Sequence, residues 1–361
     1  MVARVRVSTT ESNTRRQLLK FGLIFPFAAW LSPTADAQSA SPTTALKSGY
    51  AARLKRILAD GQLPYIDIES SCNPTKVDIA FVVRSMDELN IGLMALSADP
   101  TKGQFAKGIR FDNLSERLLA AFPDRFIPVG NGGQPPFITE APDEFFAAQE
   151  AAAARSPMFL LGEFEMRHYP SPRQVKRGEL DRDVDVTIDG SVGHQLFALS
   201  EKLGLPFQLH YEVEDRLLPP LERMLDQYPK AKVIWCHAGQ VRYIERASSY
   251  SPAYVEGLIK RFPNLWFDTA FGDAMSVYPV SNQRHSRVWG TFGTLRDDWK
   301  DLLVAYPERF LSALDLGGDR IEQIADYDRK HRDFLRRLSQ ETQHQIAYRT
   351  AWTLLFGGEF V

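Results

Sequence analysis

LPFQLHYEVEDRLLPPLERMLDQYPKAKVIWCH, residues 205–237, contains one full structural period of this chain. It opens on a short, mostly apolar run (LPFQLHY, 205–211), passes through LLPPLERMLDQY (217–228), and returns to a second apolar run, KVIWCH (232–237). Apolar residues spaced i, i+3, i+4 predict a helix between the runs. Short continuous apolar runs predict strands covered on both faces, as in parallel sheets flanked by helices. The stretch therefore reads as strand, helix, parallel strand, and each strand ends on a histidine.

The same texture recurs along the chain. Strands are predicted at LPYIDIE (63–69), IGLMALS (91–97), RFIPVG (125–130), MFLLGEFE (158–165), NLWFDTA (264–270) and RFLSALD (309–315), besides the two already quoted. Segments with helical spacing separate them, among them DIAFVVRSMDEL, DEFFAAQEAAAA, GHQLFALSEKL and PAYVEGLIKRF. IEQIADYDRKHRDFLRRL follows the last strand, and TQHQIAYRTAWTLLF adds an appended C-terminal helix. Eight such units in this length predict an α/β fold, a (β/α)8 TIM barrel, rather than an open doubly wound sheet. No GxGxxG phosphate loop follows a strand, which agrees with that choice. Residues 166–189 and 271–293 are longer than barrel connections require, and both follow strands, on the face where such barrels carry their chemistry.

Polar residues at strand ends are the natural site candidates. Strand 1 presents Asp67, Glu69 and Ser71; strand 4 presents Glu163 and Glu165, with Arg167 beyond. Strands 5 and 6 end at His210 and His237, strand 7 carries Asp268, and strand 8 ends at Asp315. Carboxylates and imidazoles on several strands suit one divalent first-row ion, Zn or Mn. Arg167 and Arg242 are candidate clamps for an anionic substrate.

These pieces, in this order, resemble the amidohydrolase superfamily, in its amidohydrolase-related branch that includes the aminocarboxymuconate-semialdehyde decarboxylase-like enzymes. GEFE, LPFQLHYE, YPKAKVIWCHAG, NLWFDTA, YPERFLSALDLGGD and IAYRTAWTLLFGG carry the resemblance. It implies that His210 and Asp315 are metal ligands, that Asp315 is also the general base, and that His237 contacts substrate or the attacking water. Strand 4 offers no lysine for a two-metal bridge, so the implied centre is mononuclear. The departure is at strand 1, where YIDIESSCNP (65–74) has Glu69 and Ser71 at the two positions of the family's His-x-His. Glu69 then completes a Glu69, His210, Asp315 ligand set, while Ser71 and Glu163 fall to substrate binding. Nonoxidative decarboxylases of aromatic acids in this branch look similar at strand 1. Three functions stay open: a metal-dependent hydrolase of a small acidic or cyclic molecule, a decarboxylase of an aromatic or enoic acid, and a non-catalytic ligand-binding barrel.

The first residues read as an address. Thr14-Arg15-Arg16-Gln17-Leu18-Leu19-Lys20, the apolar run FGLIFPFAAWL (21–31) and Ala35-Asp36-Ala37 form the basic, apolar and small-x-small parts of a signal peptide. The paired arginines resemble the twin-arginine class, which implies the twin-arginine translocation machinery as a partner and a periplasmic or secreted destination. The apolar run is too short to span a bilayer. Residues 1–37 are thus the expected signal, 38–62 a linker and N-terminal helix, with 38–48 polar linker, and 63–361 the barrel. A net charge of −2 without a long basic run argues against nucleic acid as a partner. A small-molecule substrate is expected, no membrane association after cleavage, and a homo-oligomer is compatible with the sequence. Cys72 and Cys236 leave a disulfide open, with two unpaired thiols the better expectation.

Overall fold

The computed structural model describes residues 42–238, 240–284, 287–318 and 320–360. The expected signal peptide lies outside the described residues. Among those described, no helix is long and apolar enough to cross a membrane.

The strands close into a barrel. The first, Tyr65–Cys72, pairs in parallel with the second, Ile91–Ala98. The third is an extended segment within residues 126–133, bridged to the second at Met94–Phe126 and to the fourth at Val129–Leu160 and Gly133–Phe164. The fourth to eighth (Leu161–His168, Pro206–Tyr211, Lys232–Trp235, Leu265–Asp268 and Phe310–Leu311) follow in unbroken parallel order. Closure comes from backbone bonds between the eighth and first strands. Ile68 N donates to Ser312 O (3.1 Å), Asp315 N to Glu69 O (2.9 Å) and Ser71 N to Leu316 O (2.6 Å).

The apolar runs fill both sides of this wall. Phe164 is fully buried and packs against Phe145, Phe146 and Phe207. Its strand lies so close to the third that a Cβ on Gly162 would stand 2.6 Å from the Asn131 carbonyl oxygen. Only a residue without a side chain fits there.

Three local features depart from the sequence reading. The N-terminal helix begins at Pro42, inside the stretch read as polar linker. Its anchors are tertiary: Tyr50 and Leu54 are fully buried, and Lys47 Nζ donates to the Phe356 and Gly357 carbonyls of the closing helix. The long connection after the fourth strand folds back, so that Val184–Asp185 pairs antiparallel with Arg167 and His168. The connection after the seventh contains a small hairpin, Val277–Tyr278 with Gln283–Arg284. Both are held by few backbone bonds and carry no hydrophobic period that would announce them.

Candidate active site at the mouth of the barrel

The C-terminal ends of the strands open on a cleft of about 1690 Å³. At its base the fourth, fifth and sixth strands bring Glu163, His210 and His237 together. His210 Nδ1 lies 2.6 Å from Glu163 Oε1 and 3.2 Å from His237 Nε2. His237 Nε2 is also 3.6 Å from Glu163 Oε1 and 3.5 Å from Glu69 Oε1. Ligand atoms of Glu163, His210 and His237 lie close enough to share one ion, as do those of Glu69, His237 and Asp268.

Each side chain has a reason for its pose. His237 has a left-handed backbone (φ 55°), rare for a residue with a Cβ, and its N–H donates to Asp268 Oδ1 at 2.9 Å. That bond turns the chain at the strand end and aims the imidazole inward. His210 is gripped from behind, since its Nε2 is 3.3 Å from Glu212 Oε1. Glu212 in turn accepts from Arg242 Nε (3.0 Å), Gln240 Nε2 (2.8 Å) and the Tyr169 N–H (3.2 Å).

The electrostatics follow from burial in a crowd of acids. Burial alone would discharge His210, but the hydrogen bond and charge of Glu163, then those of Glu212, lift its pKa to about 10. Burial likewise works against the Glu163 carboxylate, and the two histidines overrule it and hold the group well below its usual range. Glu69 goes the other way. Burial, then the charges of Asp268, Glu163 and Asp315, push it well above the ordinary carboxylate range. Neither Glu69 oxygen receives a hydrogen bond, nor does His237 Nδ1.

A buried carboxylate without donors is costly unless something positive meets it. Glu163, His210 and His237 are a donor set that fits a divalent first-row ion, and Glu69, 3.5 Å from His237 Nε2, sets a carboxylate without donors beside them. The residues present therefore fit the expected metal.

The expected ligands stand in two places. Glu69 and His210 both reach the cluster, but Asp315 does not share it. Its backbone is left-handed (φ 52°) and its carboxylate turns to Arg320, with Nη2 to Oδ1 at 2.7 Å and Nη1 to Oδ2 at 3.2 Å. Glu163, expected to bind substrate, sits instead in the centre of the cluster. Ser71 lines the cleft and donates to Asp99 Oδ2 at 2.5 Å. Burial, opposed by that bond, raises Asp99 to about 7.

Arg167, the expected clamp, is not among the residues that line the cleft. It is buried, bonded to Glu214 Oε1 (2.6 Å), Asp183 Oδ1 (2.6 Å) and the Val184 carbonyl, and stacked 3.5 Å from the Tyr169 ring. Its Nη1 fastens the folded-back loop and its Nε holds Glu214. Arg242 does line the cleft, yet it is 5% exposed and bonded to Glu212. Cys72 and Cys236 are buried free thiols.

Asp99, Glu165, His168, Arg182 and Arg320 also line the cleft. Arg182 pairs with Glu165, and His168 Nδ1 meets the Arg182 carbonyl at 2.9 Å. Glu212 was discoverable, two residues past His210 and on the same face by strand alternation. Arg182 and Arg320 stand in connections without a period, and nothing local marks them.

The family model described as Amidohydrolase matches residues 82–356. No curated protein matches the sequence. A candidate amidohydrolase from Staphylococcus aureus is similar in structure, with a TM-score of 0.51 and 13% identity over 81% of this chain and 99% of that one. 5-Carboxyvanillate decarboxylase from Sphingomonas paucimobilis gives 0.47 and 13%, over 81% and 99%. A manganese-bound dihydroxybenzoic acid decarboxylase from Polaromonas gives 0.47 and 15%, over 81% and 96%. The family match leaves out the first strand, with Glu69, but takes in the other barrel strands and both histidines. The chain belongs to the amidohydrolase family.

Proposed function

We propose that the chain is a metal-dependent hydrolase of the amidohydrolase type, exported from the cytoplasm, that acts on a small acidic or cyclic organic molecule. The observation that carries this reading is the convergence of Glu163, His210 and His237 beside the hydrogen-bond-starved carboxylate of Glu69 at the floor of the cleft. These four residues would hold one zinc or manganese ion, which when bound supplies Lewis acidity.

The chain's own residues do the rest. Glu212 fixes the ring of His210 so that Nδ1, not Nε2, faces the cluster. Asp315, at the cleft edge with its side chain 34% exposed, accepts the proton of the attacking water at a carboxylate oxygen once it leaves Arg320. His237 turns its imidazole toward the developing oxyanion. Arg182, Arg320 and Lys330 line the cleft beside their partners Glu165, Asp315 and Asp273, and an acidic substrate would compete with these carboxylates for them. The long connection after the fourth strand covers one side and restricts water.

A second reading, nonoxidative decarboxylation, is favoured by the Asp315–Arg320 pair. A carboxylate already held by a guanidinium is poorly poised to take a proton from water. In that reading the C–C bond to the carboxylate breaks, CO2 leaves, and the carbon takes a proton from the His237 imidazolium.

Purified protein assayed against lactones and amides, and against aromatic and enoic acids for CO2 release, separates these. Ring or amide opening supports hydrolysis, and CO2 release in the absence of oxygen supports the second reading. Neither activity, in protein free of metal that still binds an acid, would leave a ligand-binding barrel. The export part is tested by expressing the full chain with Arg15→Lys and Arg16→Lys together, which should keep it in the cytoplasm.

A further inference from the structure

The connection after the fourth strand leaves the barrel at His168 and returns at Val184, which pairs with His168 itself. A compact loop whose ends touch in this way is an Ω-loop. Its neck is firm. Arg167 Nη1 donates to Asp183 Oδ1 and to the Val184 carbonyl, and His168 Nδ1 meets the Arg182 carbonyl at 2.9 Å. Arg182 pairs with Glu165, and Tyr169 is buried with its hydroxyl donating to Glu214 Oε1 at 2.7 Å.

The tip is built differently. None of residues 171–181 is buried, so the tip adds nothing to the core. It carries its own order instead. Ser171 and Gln174 cap the helix Pro172–Arg177 reciprocally, and Gly178 ends it in the left-handed region (φ 71°). Two exposed ties reach from this tip to other parts of the mouth. Asp181 Oδ2 accepts from Lys102 Nζ at 2.5 Å, with side chains 58% and 71% exposed, and Lys102 opens the helix after the second strand. Arg173 Nη2 donates to Gln323 Oε1 at 2.8 Å, and Gln323 lies in the turn after the eighth strand. In a ring of eight strands the eighth stands opposite the fourth, so this second tie spans the cleft. Ser171, Arg173, Gln174 and Arg177 line the cleft from this side.

We propose that residues 171–181 are a lid, closed in this structure by the Lys102–Asp181 and Arg173–Gln323 ties, which swings on its neck at Tyr169 and Arg182 to admit ligands too large for the closed mouth. Exposed polar pairs contribute little to stability. Breaking both ties therefore leaves the barrel and the neck standing, and a tip with local order and no buried residue moves as one piece. A lid of this kind opens within microseconds to milliseconds and often limits turnover. The inference holds for hydrolysis and for decarboxylation alike.

The test places a reporter thiol inside the cleft, Ser71→Cys, in the full chain. The native thiols, Cys72 and Cys236, are buried, and peptide mass identifies the residue that reacts. Alkylation by iodoacetamide and by the bulkier fluorescein maleimide is timed with and without Asp181→Ala and Gln323→Ala together. These two substitutions remove the acceptors of both ties and keep the cations of the cleft wall. With the ties gone, fluorescein maleimide should react about tenfold faster and iodoacetamide within about twofold of its former rate, at an unchanged urea midpoint. An unchanged fluorescein maleimide rate overturns the lid, as does equal acceleration of both reagents or a fall in the urea midpoint. A second readout avoids the reporter. Spin labels on Arg177→Cys and Glu322→Cys should show two separations, the longer one more populated once the ties are removed. A single separation, the same with and without the ties, overturns the lid.

Discussion

Glu212 stands behind His210, its Oε1 3.3 Å from Nε2, while the other ring nitrogen faces Glu163 at 2.6 Å. One imidazole is thus stretched between two carboxylates, and only Glu163 belongs to the cluster. Glu212 is 3% exposed and its partner Arg242 5%. Removing one member of a buried pair leaves the other charge without compensation.

Glu212→Ala is therefore expected to cost roughly 3–5 kcal/mol of stability, read from urea unfolding. It should also weaken metal binding by about 10–100-fold, because the ring it orients is a proposed ligand. Glu212→Gln should keep more of the stability, since its amide oxygen can still accept from Arg242 and Gln240. A fully stable Glu212→Ala protein would show that the pair does not hold the fifth and sixth strands together.

Phe164 tests the barrel itself. Its side chain fills the space between the fourth strand and the aromatic residues of the helix Pro142–Arg155, with Phe146 stacked at 6.0 Å. Phe164→Ala should cost about 3–5 kcal/mol, while Phe164→Leu should cost less because the cavity is smaller. The chain alternates at this strand, so the same substitution also loosens the platform carrying Glu163 and Glu165.

His331 gives the protein a titration that lies away from the cluster. Burial, with Arg332 adding to it, lowers its pKa from 6.5 to about 3. Its Nε2 meets Ser312 Oγ at 2.8 Å and its ring packs on Tyr65 at 4.9 Å. Between these two values the unfolded chain binds a proton that the native protein refuses. Stability from this group is complete above pH 6.5 and falls as the pH drops toward 3. The slope reaches about 1.4 kcal/mol per pH unit. His331→Gln should flatten the unfolding free energy over this window by that slope relative to wild type. Parallel curves would contradict the buried neutral imidazole.

Most of the fold was legible because two periods, one of strands and one of helices, repeat through the chain. The histidines at the ends of KVIWCH and LPFQLHY were legible for the same reason, as strand ends are where barrel side chains meet. The place of Glu163 beside both histidines and of the Asp315 carboxylate beside Arg320 was not. Asp315 lies on a strand end as expected, and its direction is set by a left-handed backbone and by Arg320 five positions on, neither of which leaves a pattern in composition or spacing. Arg167 misled for a related reason. Its place after the fourth strand suits a clamp, but the folded-back pair Val184–Asp185 brings Asp183 onto it from a segment that reads as plain loop.

The most direct test is elemental analysis of purified protein by mass spectrometry, comparing wild type with Glu163→Gln, His210→Ala and Ser71→Ala. The expected result is about one divalent ion per chain in wild type and Ser71→Ala, with loss in the other two. Wild type without a stoichiometric ion, or metal content indifferent to Glu163 and His210, would contradict a metal centre at the floor of this barrel.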